Sequence, residues 1–215
     1  MKKPFTIILF LLGVTFPLAA QNLDKQGDRI QLARDRYAEG LAKIAEMKSY
    51  QEDGIPNENF LSVVRKQNWA GTGMQVDRMD FYYDEVVEEY KPYPIGYSLV
   101  MVRRSYNVAA REFLEEYVYD EAGKPLFYFT RFEEFIEGLD DASKIELRRY
   151  YDENGNIIRL ITKMSDESGR MKEINENDNP EVMEQLSYVL EDDGLASFTR
   201  MKAVFDAVYN QENEN

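Results

Sequence analysis

The chain has 215 residues, with 40 Asp and Glu against 26 Lys and Arg for a formal net charge of −14, and it contains neither cysteine nor histidine. Those two absences exclude Ser-His-Asp and Cys-His catalysis, a zinc site of the Cys/His kind, disulfides and a lipid-modified N-terminal cysteine. The surplus of acid repels phosphate, so neither nucleic acid nor an anionic lipid headgroup is expected as a partner.

The N-terminus has the layout of a secretory signal peptide. Lys2 and Lys3 precede an apolar run from Phe5 to Phe16 that only Thr6, Gly13 and Thr15 interrupt, and Pro17, Leu18, Ala19 and Ala20 lead into polar Gln21. A spanning helix needs about 20 apolar residues, and this run is shorter. Cleavage after Ala20 is expected, giving a periplasmic or secreted protein with no membrane span. It leaves residues 21–210 as one α+β domain, a frayed 211–215 tail and a mature net charge of −16 (24 basic against 40 acidic residues). With no disulfide available, the core must hold that domain by itself.

A long helix is predicted over about Leu23–Tyr50. Leu23, Ile30, Tyr37 and Ile44 recur every seven residues, Leu41 and Met47 fill the same face, and charged residues occupy most of the rest. Gly27 and Gly40 weaken it locally, and Asp53-Gly54-Ile55-Pro56 ends it.

From about Leu61 to Ile174 short apolar, aromatic-rich runs alternate with turn signals. Asp120-Glu121-Ala122-Gly123, Asp152-Glu153-Asn154-Gly155 and Asp166-Glu167-Ser168-Gly169 repeat one chemistry. The aspartate bonds the backbone ahead of it and the glycine supplies positive φ, which is how antiparallel strands are joined by a type I turn with a glycine bulge. The flanks alternate as strands do. Ile145, Leu147, Arg149 and Tyr151 oppose Glu146, Arg148 and Tyr150, and Ile158, Leu160, Thr162 and Met164 follow the second turn. Further strands are predicted around Val76–Val87, Tyr97–Tyr106, Tyr117–Tyr119 and Leu126–Phe129, for a single antiparallel meander of five to seven strands. Asn179-Pro180 then opens a helical C-terminal region in which Phe198, Met201, Phe205 and Val208, with Val204 beside them, form a stripe.

The segments Tyr150-Tyr151-Asp152-Glu153-Asn154-Gly155-Asn156-Ile157-Ile158-Arg159-Leu160 and Tyr117-Val118-Tyr119-Asp120-Glu121-Ala122-Gly123-Lys124-Pro125-Leu126 resemble the unit of bacterial YD-repeat and MORN-like hairpin proteins. The resemblance covers a minor part of the chain and implies a strand-turn-strand scaffold with no catalytic residue. The stretches KQNWAGTG and PYPIGYSLVMVRRSYNVAAREF resemble uncharacterised exported proteins of the Bacteroidetes, which implies a location and no activity.

Candidate site residues fall in three places. Trp69 sits in the basic, glycine-containing run Arg65-Lys66-Gln67-Asn68-Trp69-Ala70-Gly71-Thr72-Gly73, which reads either as a loop that stacks a ligand on Trp69 beside Arg65 or as a tight turn with the indole on the core. Tyr93 and Tyr97 lie in the connector Lys91-Pro92-Tyr93-Pro94-Ile95-Gly96-Tyr97, either an aromatic rim for a sugar or peptide or a rigid loop. Arg103 and Arg104, with Arg111, form a carboxylate or phosphate pocket if they share a concave face; otherwise they pair with acids such as Glu115 and Glu116. Asp152, Asn154 and Asn156 carry alternating oxygens, but the glycine comes one residue early for a calcium loop and no glutamate closes it, so a turn is the expectation there. No cofactor and no metal are expected.

The function these features favour is a non-catalytic envelope protein that binds a glycan, peptide or protein on an exposed tyrosine-rich sheet face. A carboxylate-dependent hydrolase of envelope glycans and a half-barrel carrier of a small apolar ligand are the alternatives. The tyrosine-rich reading requires that face to be open, since a sheet that buries both faces leaves it nothing to bind with.

Overall fold

The computed structural model describes residues 16–54, 60–138 and 142–209. The basic and apolar parts of the expected signal segment, the Ile55-Pro56 helix stop and the 211–215 tail lie outside them. Helix α1 spans Phe16–Asp53 and is followed by strands β1 (Phe60–Trp69), β2 (Gly73–Val86), β3 (Gly96–Val108), β4 (Arg111–Tyr119), β5 (Pro125–Glu134), β6 (Ser143–Tyr151), β7 (Ile157–Ser165) and β8 (Met171–Ile174). Helices α2 (Pro180–Gln185), α3 (Ser187–Leu190) and α4 (Leu195–Tyr209) complete the described residues. The eight strands form one sheet in sequence order, every neighbouring pair antiparallel. The α+β meander is therefore as expected, with more strands. Arg65–Trp69 is not a loop but the second half of β1, and β8 follows the third aspartate-to-glycine turn.

The three tetrads close hairpins by one set of bonds. In the first, Gly123 N–H donates to the Asp120 carbonyl at 2.9 Å and Asp120 N–H to the Lys124 carbonyl at 3.0 Å, while Asp120 Oδ1 accepts from the N–H groups of Ala122 and Lys124. Asp152 and Asp166 accept in the same way. Gly123, Gly155 and Gly169 have φ of 71°, 86° and 78°, a region costly for other residues.

Where the register shifts, β3, β5 and β7 each carry one unpaired residue: Val100, Leu126 and Ile158. All three pack on the α1 side of the sheet. A bulge turns an extra side chain to one face and sharpens the local twist, so each irregularity here adds an apolar group beneath the helix.

Helix α1 crosses the strands at the end of the sheet that carries the β4–β5 and β6–β7 turns. Arg29 reaches the Tyr151 carbonyl, Asp120 and the Pro125 carbonyl, and Lys43 reaches Asp84 at the end of β2. The helix rises about 21 Å between those residues, and β6 to β2 is about 19 Å at four strand spacings. The crossing is therefore nearly perpendicular. The stripe of α1 that faces the sheet is Ile30, Ala33, Tyr37, Gly40, Ile44 and Met47, alternating steps of three and four, with Ile30 and Tyr37 half-buried and the others buried; Leu41, expected on this face, is exposed. The helix backbone approaches closely at Gly40, where a Cβ would stand 2.8 Å from Met101 Sδ.

On the opposite face α4 lies across the same end. Phe198 meets the rings of Tyr117, Tyr119 and Tyr151 edge-on at 5.2, 5.2 and 5.5 Å, and Phe205 and Tyr209 meet Tyr83. Val208, expected in that stripe, is exposed. Helices α2 and α3 cover the far end of β5–β8 through Leu186, packed with Phe132, Ile145, Leu147 and Ile174.

The tyrosines are consequently interior. Tyr82 and Tyr150 face α1, while Tyr83, Tyr117, Tyr119, Tyr128 and Tyr151 face α4, and all seven are buried. The expectation of an exposed tyrosine-rich sheet face is corrected: both faces carry helices at that end, because each presents enough apolar surface to bury.

Candidate functional site

Since α1 occupies one end only, the rest of its side of the sheet is open among the described residues, and the strand register determines what is displayed there. One row across the sheet runs Ser62, Asp80, Arg103, Glu116, Phe129, Arg148 and Ile161; the next runs Val64, Arg78, Ser105, Leu114, Arg131, Glu146 and Lys163. Cations and acids pair within and between these rows: Arg78 with Asp80 at 2.8 Å, Arg103 with Glu116 at 3.5 Å, and both Arg131 and Arg148 with Glu146, at 2.6 and 3.1 Å. The pairs are asymmetric in depth. The side chain of Arg131 is 51% exposed and that of Glu146 only 6%, and Arg103 over Glu116 follows the same pattern. Glu116 also accepts from Tyr37 Oη of α1, and Phe129 lies buried between Arg131 and Arg148, whose guanidinium carbons stand 5.5 and 5.7 Å from its ring centre. Carboxylates thus form the floor and guanidinium edges meet solvent. A groove of about 580 Å³ continues this surface, with Ser105, Asn107, Leu114, Arg131, Glu133 and Lys144 in its walls.

A second polar network lies on the α4 side, below that helix. Arg104 donates to both oxygens of Asp77, at 2.8 and 3.0 Å, and to Glu115 at 3.1 Å. Three tyrosine hydroxyls converge on Glu115: Tyr117 at 2.6 Å, Tyr106 at 3.1 Å and Tyr128 at 3.4 Å. Burial alone would raise the Asp77 pKa, but the bonds and charge of Arg104, with Arg65, outweigh it and hold the carboxyl below its ordinary value. Tyr106, Tyr117 and Tyr128 are pushed well above the ordinary phenol value, first by burial and then by the charge of Glu115.

The expected site residues do not come together. Arg103 and Arg104 are successive residues of a strand and point to opposite faces, so they form no shared pocket; each instead pairs with an acid of β4. Arg65 donates to Asp77 at 3.1 Å and belongs to the second network. Trp69 stands 53% exposed at the end of β1, where Thr72 N–H donates to its carbonyl at 3.2 Å in the turn to β2. Tyr93 lies in the β2–β3 connection beyond the other end of β2, about 40 Å of strand away. It is exposed, whereas Tyr97 packs on Tyr83 and Tyr209 at 5.4 and 4.4 Å. Arg111 pairs with Glu134.

Other chemistries can be judged from the same geometry. A glycoside hydrolase needs one acid with a raised pKa, and Asp77, which Arg104 couples to Glu115, is shifted the opposite way. At Asp152 both carboxylate oxygens accept N–H groups of their own turn, from Asn154 and Asn156, which is hairpin closure rather than cation ligation. At Gly40 the helix packs directly on Met101 and leaves no space between α1 and the sheet at that point. Among the described residues no helix is long and apolar enough to cross a membrane.

Arg78, Arg131 and Arg148 are not singled out by sequence reasoning. Strand alternation places Glu146 and Arg148 on one face, but pairing with Arg131 depends on the β5–β6 register, which the sequence does not specify. No family model matches the chain, and no curated protein and no solved structure matches it.

Proposed function

We propose that this protein is a non-catalytic, exported envelope protein that binds a carboxylate-bearing polymer on the uncovered part of the α1 side of its sheet. One observation carries the reading: in a chain of net charge −14, this surface turns guanidinium groups outward over buried carboxylates. The guanidinium fork matches a carboxylate in shape and charge. Arg103 and Arg148, and likewise Arg78 and Arg131, are three strands apart, about 14 Å, a spacing that suits repeated contacts along an extended chain rather than a small enclosed ligand. The acidic remainder of the surface repels the same polymer and confines it to the patch.

The test is titration of the purified protein with polygalacturonate, polyglutamate and neutral dextran at low ionic strength. The reading expects binding to at least one acidic polymer, none to dextran, and weakening as salt rises. It expects Arg131→Glu with Arg148→Glu to reduce binding by tenfold or more while the circular dichroism is unchanged. Equal binding by that variant, or no binding of either acidic polymer to the wild type, rejects it.

A further inference from the structure

Among the described residues β1 is an outer strand of the sheet and runs for ten residues, whereas the opposite outer strand, β8, has four. From Val64 to Trp69 every residue of β1 is exposed. In an antiparallel pair alternate residues turn N–H and C=O groups away from their neighbour, so the free side of β1 offers a ladder half formed. An edge of this length and exposure is a template for a further strand.

We propose that β1 binds an extended acidic segment of another protein by strand addition. The backbone supplies the pairing and the side chains choose the partner. Lys66 points to the α1 side, beside Val64 and with Arg78 on the adjoining strand; Arg65, Gln67 and Trp69 point to the other side. A strand laid along β1 therefore meets a cation on each face and an exposed indole at one end. Glutamates or aspartates on both of its faces place opposite charges directly across the new pair, the favourable arrangement in a sheet. The same two cations act against a second copy of this chain, because antiparallel pairing centred near the middle of β1 brings Arg65 and Lys66 of both copies side by side. The mode is that of a peptide completing a sheet edge, with main-chain bonds for affinity and alternate side chains for selection. This edge is separate from the arginine-topped face, and either site can fail without the other.

The test uses the full chain and a ten-residue peptide in which pairs of valines alternate with pairs of glutamates, so that both faces of the strand carry acid, followed by hydrogen exchange and by fluorescence of Trp69, the chain's one tryptophan. Expected are slowed exchange at β1 amides, a shift in indole emission, loss of binding when alternate peptide nitrogens are methylated, and about tenfold weaker binding to Lys66→Glu. Arg131→Glu with Arg148→Glu should bind this peptide as the wild type does. The proposal is overturned if the methylated peptide binds equally, if protection appears on β8 or the open face instead of β1, or if the protein alone dimerises through β1. The methylation comparison needs only the wild-type protein, so misfolding of the Lys66 variant would not spoil it.

Discussion

Arg65 and Arg104 converge on one carboxylate: Arg104 holds both oxygens of Asp77, at 2.8 and 3.0 Å, and Arg65 reaches one of them at 3.1 Å from the neighbouring strand. The contact spans β1, β2 and β3 and, through Glu115, continues to β4. It ties four neighbouring strands together on the α4 side of the sheet. The Arg104 guanidinium is mostly buried and fully engaged here, whereas Arg65 gives the network one bond and stays largely exposed at the sheet edge.

Asp77→Asn should therefore cost about 2 kcal/mol, between the worth of an exposed pair and that of a fully buried one. The folded pKa of Asp77 is lowered, so its contribution is present above the ordinary carboxylate value near 4 and is lost as pH falls through the depressed one. The wild type should lose melting temperature more steeply than the variant below about pH 4. Parallel curves down to pH 2 would assign the acid sensitivity to other groups.

Alkali should act through the tyrosines around Glu115. Their folded pKa values are raised, as is that of Tyr82, which burial pushes up to about 12. The stability they confer is complete below the ordinary phenol value near 10 and drains away as pH rises toward the folded values. Absorbance at 295 nm should show tyrosinate forming together with unfolding above about pH 10. Glu115→Gln should make the fall in melting temperature over that range shallower, since it removes a charge that opposes ionisation.

One substitution should have opposite signs at two positions of α1. Gly27→Ala meets nothing within 4 Å and should gain about 0.5–1 kcal/mol in helix propensity. Gly40→Ala would place its Cβ 2.8 Å from Met101 Sδ and 3.1 Å from Met101 Cβ, so it should lose about 1–3 kcal/mol to overpacking. Urea midpoints of the two variants, moving apart from the wild type, would check both.

Phe198→Ala should be the most damaging single truncation on the α4 side. The ring contacts Tyr117, Tyr119 and Tyr151, and its carbonyl accepts from Tyr119 Oη at 2.9 Å. A loss of about 4 kcal/mol is expected from calorimetry, against little for the exposed Val208 of the same helix.

The hairpin turns were legible in the sequence because their bonds are local: Asp120, Asp152 and Asp166 each satisfy their own turn within four residues. The helix face was less so. Leu41 is expected on the face of the seven-residue repeat, whereas the buried stripe takes Gly40 and Ala33, and small residues give no hydrophobic signal although they set how near helix and sheet can lie. Burial of both tyrosine-bearing faces depends on where α4 lands after α2 and α3, a tertiary choice that strand alternation cannot express. The parting of Arg103 from Arg104 followed from alternation alone, once both were assigned to a strand. The open-face arginines needed cross-strand register, and the β1 edge was obscured because its glycine-flanked, basic end resembled a loop.

Sequential strand order has a kinetic corollary. Each strand finds its mate in the segment synthesised just before or after it, so the sheet can assemble like a zipper from its tight reversals, with short chain closures at every step. Helix α1 precedes the strands it rests on, and its seat, spread over strands up to β6 and β7, is complete only once these have paired. Until then its greasy stripe stays uncovered, which makes the nascent, half-zipped chain the form most in need of a chaperone.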